Sequence, residues 1–567
     1  MPIRDHLPVH SDPHGVPATD ARPWLRHYGS VPTSLEYPAT TLPQALEAMA
    51  QRTPSAVALE YLGSRITYRE LHQAVDRCAG ALAAVGARAD DRILIALPTC
   101  PQGVIAFYAA NRLAAVPALI HPASVAAEVA HYLRASGARV AVTLDTCRET
   151  LQTAREGTRL EQILLTRIDD TLPSVQAALP APEPSVRWWR DLMARASPAP
   201  AAHLDPDGLA AILFSGGTTG PPKGIMLSSR NLIAEAMGAA AWVGMRPDDV
   251  MLAALPIFHG IGLGLCILSV LLTGARAVLV PRFIPAVVAG EIRARRPTLM
   301  VGVPTLYEAL TREPSLAHGD LSCLRAAFSG ADVLPQSVKE RFEQMVASHG
   351  GRVRLLEGYG LTEAVSGIMA MPLAEAREGS VGLPLPDTLV VICRPGTPEE
   401  LGPEEEGEIC VSGPAVMLGY LDNPADTADV LRRHADGRIW LHTGDLGRRD
   451  AEGFFYFTGR LKRMIKTSGF TVNPVQVEAV LLSHPAVAEA CVIGVPDRSQ
   501  IERVKAFVVL RDPNAGGAAL EKELIAHCRS QLIKWSCPRE LEYRSELPKT
   551  RLGKVNLGAL NPPPQPQ

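Results

Sequence analysis

"FSGGTTGPPKGIM", Phe214 to Met226, joins two apolar runs and concentrates glycine, hydroxyl and lysine residues in one short loop. Glycine lets several backbone N–H groups point at one place, because it adopts positive φ and has no Cβ. Ser215, Thr218 and Thr219 add hydroxyl donors, and Lys223 adds a positive charge. This combination suits phosphate oxygens, so the stretch predicts an anion-binding loop.

The loop differs from the glycine-rich loop that precedes a helix in many nucleotide-binding proteins. That motif places a glycine directly before its lysine. Here Pro222 precedes Lys223, and the residues that follow predict a strand, so the loop joins two strands. A tight hairpin turn is the alternative interpretation, but two residues suffice for such a turn. The stretch therefore predicts a phosphate-binding loop of another type.

The chain has 567 residues and a formal net charge of −3 at pH 7. Because that length exceeds a single typical core, two or more domains are expected. The charge gives no basic surface, so binding to nucleic acid is not expected. The ten cysteines show no paired spacing, which predicts reduced thiols in a cytoplasmic protein rather than disulfides or a zinc site.

The longest apolar segment runs from residue 260 to residue 280. Thr273, Gly274 and Arg276 interrupt it and leave about a dozen apolar residues, too few to cross a bilayer. The segment predicts a buried helix followed by a strand. The first residues have no apolar core of the kind a signal peptide needs. No membrane span is expected, and peripheral association with a membrane is left open.

Strand-like and helix-like patterns alternate along the chain. Thr67 and Glu70 have the spacing of a capping box, which predicts that a helix begins there. Apolar residues then recur on one helical face, at Leu71, Val75, Cys78 and Leu82. Continuous apolar runs predict buried parallel strands at "RILIALP", "RVAVTL", "QILLT", "AAILF" and "LMVGVP". The alternation predicts an α/β chain with largely parallel sheets.

Composition predicts three parts of the chain. Residues 1–30 are rich in proline, histidine and aspartate and predict a loosely held N-terminal arm. Residues 31–459 carry the alternating strands and helices and predict one large domain. After Gly459 the basic stretch "RLKRMIKTSG" precedes a new set of strands. Residues 460–567 are therefore expected to form a small C-terminal domain.

Further motifs follow the loop, in the order "LPIFHGIGLG", "FSGADVLP", "EGYGLTEA", "WLHTGDLG", "TGRLKRMIKTSG" and "ELPKTRLGKVN". Together with the loop they resemble the motifs of the adenylate-forming superfamily. The stretches "RPWLRHY" and "TYRELHQAVDRCAGALAAVGARADDRILIALP" resemble the start of bacterial fatty acyl-CoA synthetases in particular. The loop departs from the usual pattern at Ser215 and Gly216, where threonine and serine are usual. A Gly-Gly variant is also found among bacterial long-chain fatty acyl-CoA synthetases.

The resemblance implies an ATP site with a bound Mg²⁺. The loop would hold the β- and γ-phosphates with Ser215, Gly216, Gly217, Thr218, Thr219, Gly220 and Lys223. Tyr359 would contact the face of the adenine, Gly360 would also belong to the ATP/AMP-binding site, and Gly330 and Ala331 would lie close to the adenine and the acyl group. Thr362 would bind the α-phosphate, and the Glu363 carboxylate would bind Mg²⁺, a cation that prefers oxygen ligands.

The resemblance also implies residues for the ribose, the acyl group and catalysis. Asp445 and Arg460 would bind the ribose hydroxyls. Lys554 would be the catalytic lysine that holds the carboxylate and the α-phosphate together. His259 would lie at the mouth of the acyl pocket. No aspartate near it could pair with a buried ammonium group, which disfavours an α-amino acid as substrate.

The family architecture implied is a large N-terminal domain of layered αβ subdomains with a small barrel-like sheet, and a small mobile C-terminal α+β lid. The lid would turn about Lys462, which acts as a hinge, and would then present Gly469 to the channel of the CoA pantetheine. Glycine suits a narrow channel because it has no side chain to occlude it.

The reaction implied is the ATP-dependent activation of a carboxylic acid to acyl-AMP, followed by thioester formation with CoA. A medium- or long-chain fatty acid is the expected substrate, with an aryl acid of the cinnamate type as alternative. Another alternative is transfer to the phosphopantetheine of a carrier protein, but ligases of that type typically have an insertion that "RLKRMIKTSGFTVNPVQVE" lacks. A nucleotide-binding regulatory protein without turnover is disfavoured, since Lys554, Glu363 and Asp445 are all present. The sequence leaves the oligomeric state undetermined.

Overall fold

A computed structural model of the chain describes residues 22–172, 185–199, 202–215, 222–316, 319–467, 470–497, 501–549 and 555–560. The described residues fall into two compact units. The first takes in residues 22–215, Pro222–Leu389 and Val411–Leu441. The second takes in Val390–Cys410 and the residues from His442 onward. The domain boundary predicted after Gly459 stays a prediction.

A largely parallel sheet of the first unit positions three of the six motifs that follow the loop. Its strands are β1 (Val57–Tyr61), β2 (Ser64–Thr67), β10 (Val250–Ala253), β11 (Arg276–Leu279), β12 (Leu299–Gly302), β13 (Ala326–Ser329), β14 (Leu355–Gly360), β15 (Gly367–Ala370) and β16 (Leu383–Pro384). Their order is β16-β15-β14-β13-β12-β10-β11-β1-β2. The strands from β1 to β14 along this order pair in parallel, whereas β2, β15 and β16 pair antiparallel.

The second sheet of this unit contains the two strands that the phosphate loop joins. Its strands are β3 (Arg92–Ala96), β4 (Val116–Leu119), β5 (Val140–Leu144), β6 (Gln162–Thr166), β7 (Val186–Trp188), β8 (Leu209–Phe214), β9 (Gly224–Ser228) and β19 (Gly419–Tyr420). Their order is β19-β9-β8-β4-β3-β5-β6-β7. The strands β3 to β8 pair in parallel, and β8 pairs antiparallel with β9.

Two smaller sheets contain the remaining strands. One has the strands β17 (Leu389–Cys393), β18 (Gly407–Ser412), β20 (Leu431–Arg433), β21 (Ile439–Arg449) and β22 (Phe455–Arg460), and most of its residues belong to the second unit. The other lies wholly in the second unit and has the strands β23 (Ile465–Thr467), β24 (Phe470–Val472), β25 (Val487–Asp497), β26 (Ile501–Leu510) and β27 (Glu540–Arg544).

The helices lie between the strands, as the alternating pattern predicts. They are α1 (Leu42–Arg52), α2 (Tyr68–Ala84), α3 (Pro101–Arg112), α4 (Ala126–Ser136), α5 (Arg148–Ala154), α6 (Trp189–Arg195), α7 (Ser229–Trp242), α8 (Ser269–Thr273), α9 (Pro285–Arg295), α10 (Pro304–Thr311), α11 (Gln336–Ser348), α12 (Pro424–Val430), α13 (Pro474–Leu482), α14 (Ala518–Gln531) and α15 (Leu557–Leu560). A π-helix covers Ile261–Leu268, and short 3₁₀ helices include Pro23–His27, Thr362–Ala364 and Leu461–Arg463.

The local predictions from the sequence are confirmed. Helix α2 begins after Thr67, whose backbone N–H donates to Glu70 Oε2 at 2.8 Å while Glu70 N donates to the Thr67 hydroxyl at 3.2 Å. The four residues predicted to share a face of this helix are all buried. The predicted parallel strands are β3, β5, β6, β8 and β12. The α/β prediction is therefore correct.

The apolar segment from residue 260 to residue 280 is a buried helix followed by a strand. The π-helix continues into α8, Gly274 ends the helix with φ of 82°, and β11 follows. Among the helices of the described residues, none combines the length and the apolarity that crossing a membrane requires.

The last residues of the predicted N-terminal arm are packed rather than loosely held. Trp24 and Tyr28 are buried, and the Tyr28 hydroxyl donates to the carbonyl of Pro384 at 2.6 Å. The ring of Tyr28 also meets that of Trp242 edge to face. The prediction was wrong here because two large aromatic rings bury enough surface to hold a polar, proline-rich stretch in place. Residues 1–21 of the arm lie outside the described residues.

Candidate active site

The carboxyl ends of β13 and β14 bring six of the predicted site residues to one edge of the first sheet. Gly330 and Ala331 follow β13 directly. Tyr359 and Gly360 end β14, and the 3₁₀ helix that follows carries Thr362 and Glu363. Because β13 and β14 are parallel, both strands end at the same edge. Edges of this kind are where α/β proteins commonly bind their ligands.

The backbone of this edge is tightly constrained. A Cβ on Gly360 would lie 1.5 Å from the carbonyl oxygen of Ser366, so this position requires glycine. Ala331 and Val365 have φ values of 68° and 64°, a region that residues with a side chain rarely adopt. Strain of this kind is held in place by surrounding contacts and is common at functional sites.

The Glu363 carboxylate is held by a residue that the sequence analysis missed. The hydroxyl of Tyr420 donates to Glu363 Oε1 at 2.9 Å, and the backbone N–H of Met417 donates to the Glu363 carbonyl at 2.8 Å. Burial, together with the Glu363 carboxylate, raises the pKa of Tyr420 well above its usual range. The phenol is therefore a neutral donor to the Glu363 carboxylate.

Lys223 lies beside the same tyrosine. Its Nζ is 4.8 Å from the centroid of the Tyr420 ring and 2.5 Å from Asp426 Oδ2. The backbone N–H of Lys223 donates to Ser215 Oγ at 3.0 Å, and Ser215 N donates to the Lys223 carbonyl at 3.0 Å. These two hydrogen bonds close the base of the predicted phosphate loop.

His259 lies between β10 and the π-helix and is half-buried. Its backbone N–H donates to the carbonyl of Pro256 at 3.1 Å. A Cβ on the next residue, Gly260, would lie 1.6 Å from the carbonyl oxygen of Val365. The segment that carries His259 therefore packs directly on the segment that follows Glu363.

Asp445 and Arg460, which come from different motifs, face each other across the β21–β22 pair. Arg460 Nε lies 3.1 Å from Asp445 Oδ1. The side chain of Asp445 is 7% exposed and that of Arg460 is 48% exposed. The antiparallel register thus brings together the two residues predicted to bind one sugar, as directly opposed side chains are expected to interact.

A buried glutamate, also missed by the sequence analysis, supports the part of strand β21 just before Asp445. Glu408 Oε1 accepts the backbone N–H of Gly444 at 2.9 Å, and Oε2 lies 3.0 Å from His442 Nδ1. Burial alone would raise the pKa of Glu408, but the hydrogen bonds from His442 and Gly444 outweigh it and lower the net pKa. Cys410 Sγ lies 3.4 Å from the same nitrogen, so three groups able to bind a metal meet here. The hydrogen bonds to Glu408 account for its burial without an ion.

Glu235 is buried in α7 behind the edge that carries Glu363. Its Oε1 accepts the hydroxyl of Ser366 and, at 3.2 Å, the backbone N–H of Gly367. A Cβ on Gly264 would lie 2.3 Å from Glu235 Oε2, so the π-helix packs against this carboxyl group. Burial raises the pKa of Glu235 to about 7, although the hydrogen bonds from Ser366 and Gly367 act to lower it.

Replacing Glu235 with glutamine is expected to change how stability depends on pH. Because folding raises the pKa from 4.5 to about 7, the folded protein binds the proton more tightly than the unfolded chain. The contribution of Glu235 is therefore fully present below pH 4.5 and is lost as the pH rises through 7, up to about 3 kcal/mol. Glutamine cannot ionise, so the melting temperature of E235Q relative to the wild type should rise between pH 5 and pH 8.

The control is Glu357→Gln, because burial also raises the pKa of Glu357 to about 7. Each single variant should remove one part of the pH dependence and leave the other. A constant difference in melting temperature between wild type and E235Q from pH 5 to pH 8 would contradict the assignment.

Several predicted site residues lie outside the described residues. They are Gly216, Gly217, Thr218, Thr219 and Gly220 of the loop, Gly469 and Lys554. The proposed hinge residue Lys462 is described and is exposed in the 3₁₀ helix Leu461–Arg463, two positions after Arg460.

Comparisons with known proteins agree with the geometry of both units. The family of AMP-binding enzymes matches residues 46–421, and the C-terminal domain of AMP-binding enzymes matches residues 476–554. A long-chain-fatty-acid–CoA ligase of Bacillus subtilis (strain 168) is 35% identical over 553 residues, which cover 94% of this chain and 96% of the relative.

Two solved structures extend the comparison. ATP-bound MatB from Rhodopseudomonas palustris has a TM-score of 0.81 at 28% identity, with 92% of this chain and 98% of that chain covered. The anthranilate CoA ligase AuaEII in complex with anthranoyl-AMP has a TM-score of 0.80 at 25% identity, with 92% and 97% covered.

Proposed function

The chain belongs to the family of AMP-binding enzymes, and on that premise we propose that it is an AMP-forming acid–CoA ligase. It activates a carboxylic acid with ATP to acyl-AMP and pyrophosphate, and the thiol of CoA then displaces AMP to give the thioester. The observation that carries this proposal is the 35% identity to a long-chain-fatty-acid–CoA ligase over nearly the full length of both chains.

In the first half-reaction a carboxylate oxygen attacks the α-phosphorus of ATP. Catalysis of such a step is mostly positioning and neutralisation of charge. Lys554 holds the carboxylate and the α-phosphate together, Thr362 contacts the α-phosphate, and Lys223 with the glycine-rich loop binds the β- and γ-phosphates. Tyr359 and Gly360 contact the adenine, and Asp445 and Arg460 bind the ribose.

The Glu363 carboxylate fits the role of a magnesium ligand. The Tyr420 hydroxyl donates a hydrogen bond to it, and a carboxylate supplies the oxygen ligands that Mg²⁺ prefers. When bound, Mg²⁺ neutralises charge on the triphosphate. The protein's own part is to hold the Glu363 carboxylate near Lys223 of the phosphate loop. The contacts of Tyr420 support this role.

The nucleotide product tests the type of reaction. Incubation of the protein with ATP, Mg²⁺, CoA and a fatty acid is expected to yield AMP and pyrophosphate, because attack at the α-phosphorus releases both other phosphates together. Chromatography of the nucleotides separates AMP from ADP. Acid-dependent formation of ADP would show attack at the γ-phosphorus instead and would reject the proposal.

The substrate proposed is a medium- or long-chain fatty acid. Each methylene buried in an apolar tunnel contributes about 0.8 kcal/mol, so kcat/KM should rise severalfold per CH₂ group and then stop rising where the tunnel ends. Thioester formation with acids from C6 to C18 measures this profile. A profile that is flat across these lengths would contradict the proposal.

An aryl acid is the second candidate, because AuaEII, an anthranilate CoA ligase, shares the fold over 92% of this chain. Cinnamate-type acids in the same panel decide between the two, since a preference for them over every fatty acid would favour the aryl ligase. Replacing CoA with a phosphopantetheinylated carrier protein tests the remaining alternative acceptor.

A further inference from the structure

Three side chains from distant parts of the sequence form one continuous group in the first unit. Lys223 Nζ lies 4.8 Å from the centroid of the Tyr420 ring, and the Tyr420 hydroxyl donates to Glu363 Oε1 at 2.9 Å. The side chain of Tyr420 therefore contacts both charged groups, the lysine of the phosphate loop through its ring and the carboxylate proposed to bind Mg²⁺ through its hydroxyl. Tyr420 itself is not among the residues proposed above to contact ATP, the acid or CoA.

The position of Tyr420 is determined by backbone hydrogen bonds on both sides. Strand β19 pairs with β9, with Tyr420 opposite Ile225. The backbone N–H of Leu421 donates to the carbonyl of Gly224 at 2.7 Å, one residue after Lys223. On the other side, Met417 N donates to the Glu363 carbonyl at 2.8 Å. The segment 417–421 thus joins the backbone beside the lysine to the backbone of the glutamate.

A second set of contacts holds the backbone of Tyr420 against helix α12. Tyr420 is 7% exposed, and its backbone N–H donates to the hydroxyl of Thr427 at 2.9 Å. Gly419, with φ of 144°, allows this close approach, because a Cβ there would lie 2.8 Å from Thr427 Cγ2. Burial and the hydrogen bond to Glu363 limit the positions that the ring and the hydroxyl oxygen can take.

The two ends of the tyrosine have different chemistry. The face of an aromatic ring attracts an ammonium group, so the ring adds a contact to Lys223, whose ammonium also pairs with Asp426 at 2.5 Å. The hydroxyl group donates a hydrogen bond to a charged carboxylate, a type of bond that is shorter and stronger than one between neutral groups. One residue can therefore hold a cation and an anion at a fixed separation.

Building on the proposed function, we propose that Tyr420 is a positioning residue for the metal–triphosphate complex. Its hydroxyl orients the Glu363 carboxylate toward the Mg²⁺ that the triphosphate carries, and its ring holds the Lys223 ammonium beside the phosphates. The residue touches neither the reacting carboxylate nor the α-phosphorus, so it acts through Glu363 and Lys223. Tyr420 therefore affects the binding of ATP together with magnesium and not the binding of the acid.

Tyr420→Phe distinguishes the contribution of the hydroxyl from that of the ring, since it removes the hydroxyl and keeps the ring. Calorimetric titration of the protein with ATP is carried out in the absence of acid, once with Mg²⁺ and once without it. The difference measures how much magnesium tightens ATP binding. We expect this tightening to fall about tenfold in Y420F, while the Kd of ATP without magnesium changes less than about twofold. The free Mg²⁺ that gives half-maximal ATP–pyrophosphate exchange should rise by a similar factor.

Tyr68→Phe is the matched control. Tyr68 is buried in the same unit, and its hydroxyl donates to the carbonyl of Ala275 at 2.6 Å, with no contact to Lys223 or Glu363. The variant loses the same atom and should keep the wild-type magnesium dependence. Tyr420→Leu, which also removes the ring, should in addition weaken ATP binding without magnesium.

The outcomes separate this inference from the proposed function. If wild type shows no acid-dependent exchange with any acid of the panel, the proposed function fails. If wild type is active and magnesium tightens ATP binding in Y420F as much as in wild type, or more, the role of Tyr420 is overturned. An equal loss in Y420F and Y68F would also overturn it, since both would then reflect a general loss of stability.

Discussion

Replacing Lys554 with alanine is expected to slow the formation of acyl-AMP about a hundredfold or more, while preformed acyl-AMP is still converted to thioester at nearly the wild-type rate. Removing one preorganised charge from a developing transition state typically costs roughly 3 kcal/mol. Lys554 lies outside the described residues, so its role rests on the match of "ELPKTRLGKVN" to the family motif. Single-turnover pyrophosphate release measures the first half-reaction, and thioester formation from synthetic acyl-AMP measures the second.

Lys549→Ala is the matched control in the same segment. Lys549 forms an ion pair with Glu489 at 3.0 Å, and both side chains are more than a third exposed. Pairs of that kind contribute little to stability, so K549A should keep both half-reactions near the wild-type rate. If K554A instead loses both half-reactions equally, the lysine has a structural role and the catalytic assignment is wrong.

Lys462→Pro and Gly469→Leu are expected to slow thioester formation about tenfold or more and to leave adenylation much less affected. Lys554 cannot stay beside the α-phosphate while a thiol approaches the acyl carbon, so the C-terminal domain is proposed to take a second orientation. Proline fixes φ at the proposed hinge, and leucine would block the channel for the pantetheine arm. A tenfold change corresponds to about 1.4 kcal/mol on the barrier.

Lys462→Ala and Gly469→Ala are the controls for this pair. Alanine at residue 462 removes the charge but keeps the freedom of φ, so K462A should form thioester nearly as wild type does. Alanine at residue 469 should have a smaller effect than leucine. If both K462P and G469L melt at the wild-type temperature and convert acyl-AMP at the wild-type rate, the two-orientation proposal fails, and CoA as acceptor loses structural support.

Local structure could be predicted from the sequence because its causes are local. The capping box of Thr67 and Glu70 depends on a spacing of three residues, and the buried strands depend on continuous apolar runs. The edge that carries Gly330, Tyr359 and Glu363 was also predictable, since each residue belongs to a recognised motif. The pairing of Asp445 with Arg460 follows from two motifs that lie 15 residues apart on adjacent strands.

The sequence by itself determined the α/β class, the family motifs and the order in which they occur, because these depend on residue type and short-range spacing. Only the tertiary structure decided which side chains support the site. Tyr420 meets Glu363 because β19 pairs with β9, and Glu408 meets Gly444 within the second unit. Glu235, on helix α7, contacts Ser366, which lies 131 residues later in the sequence. Such contacts depend on strand register and on close packing over long separations, which no local pattern encodes.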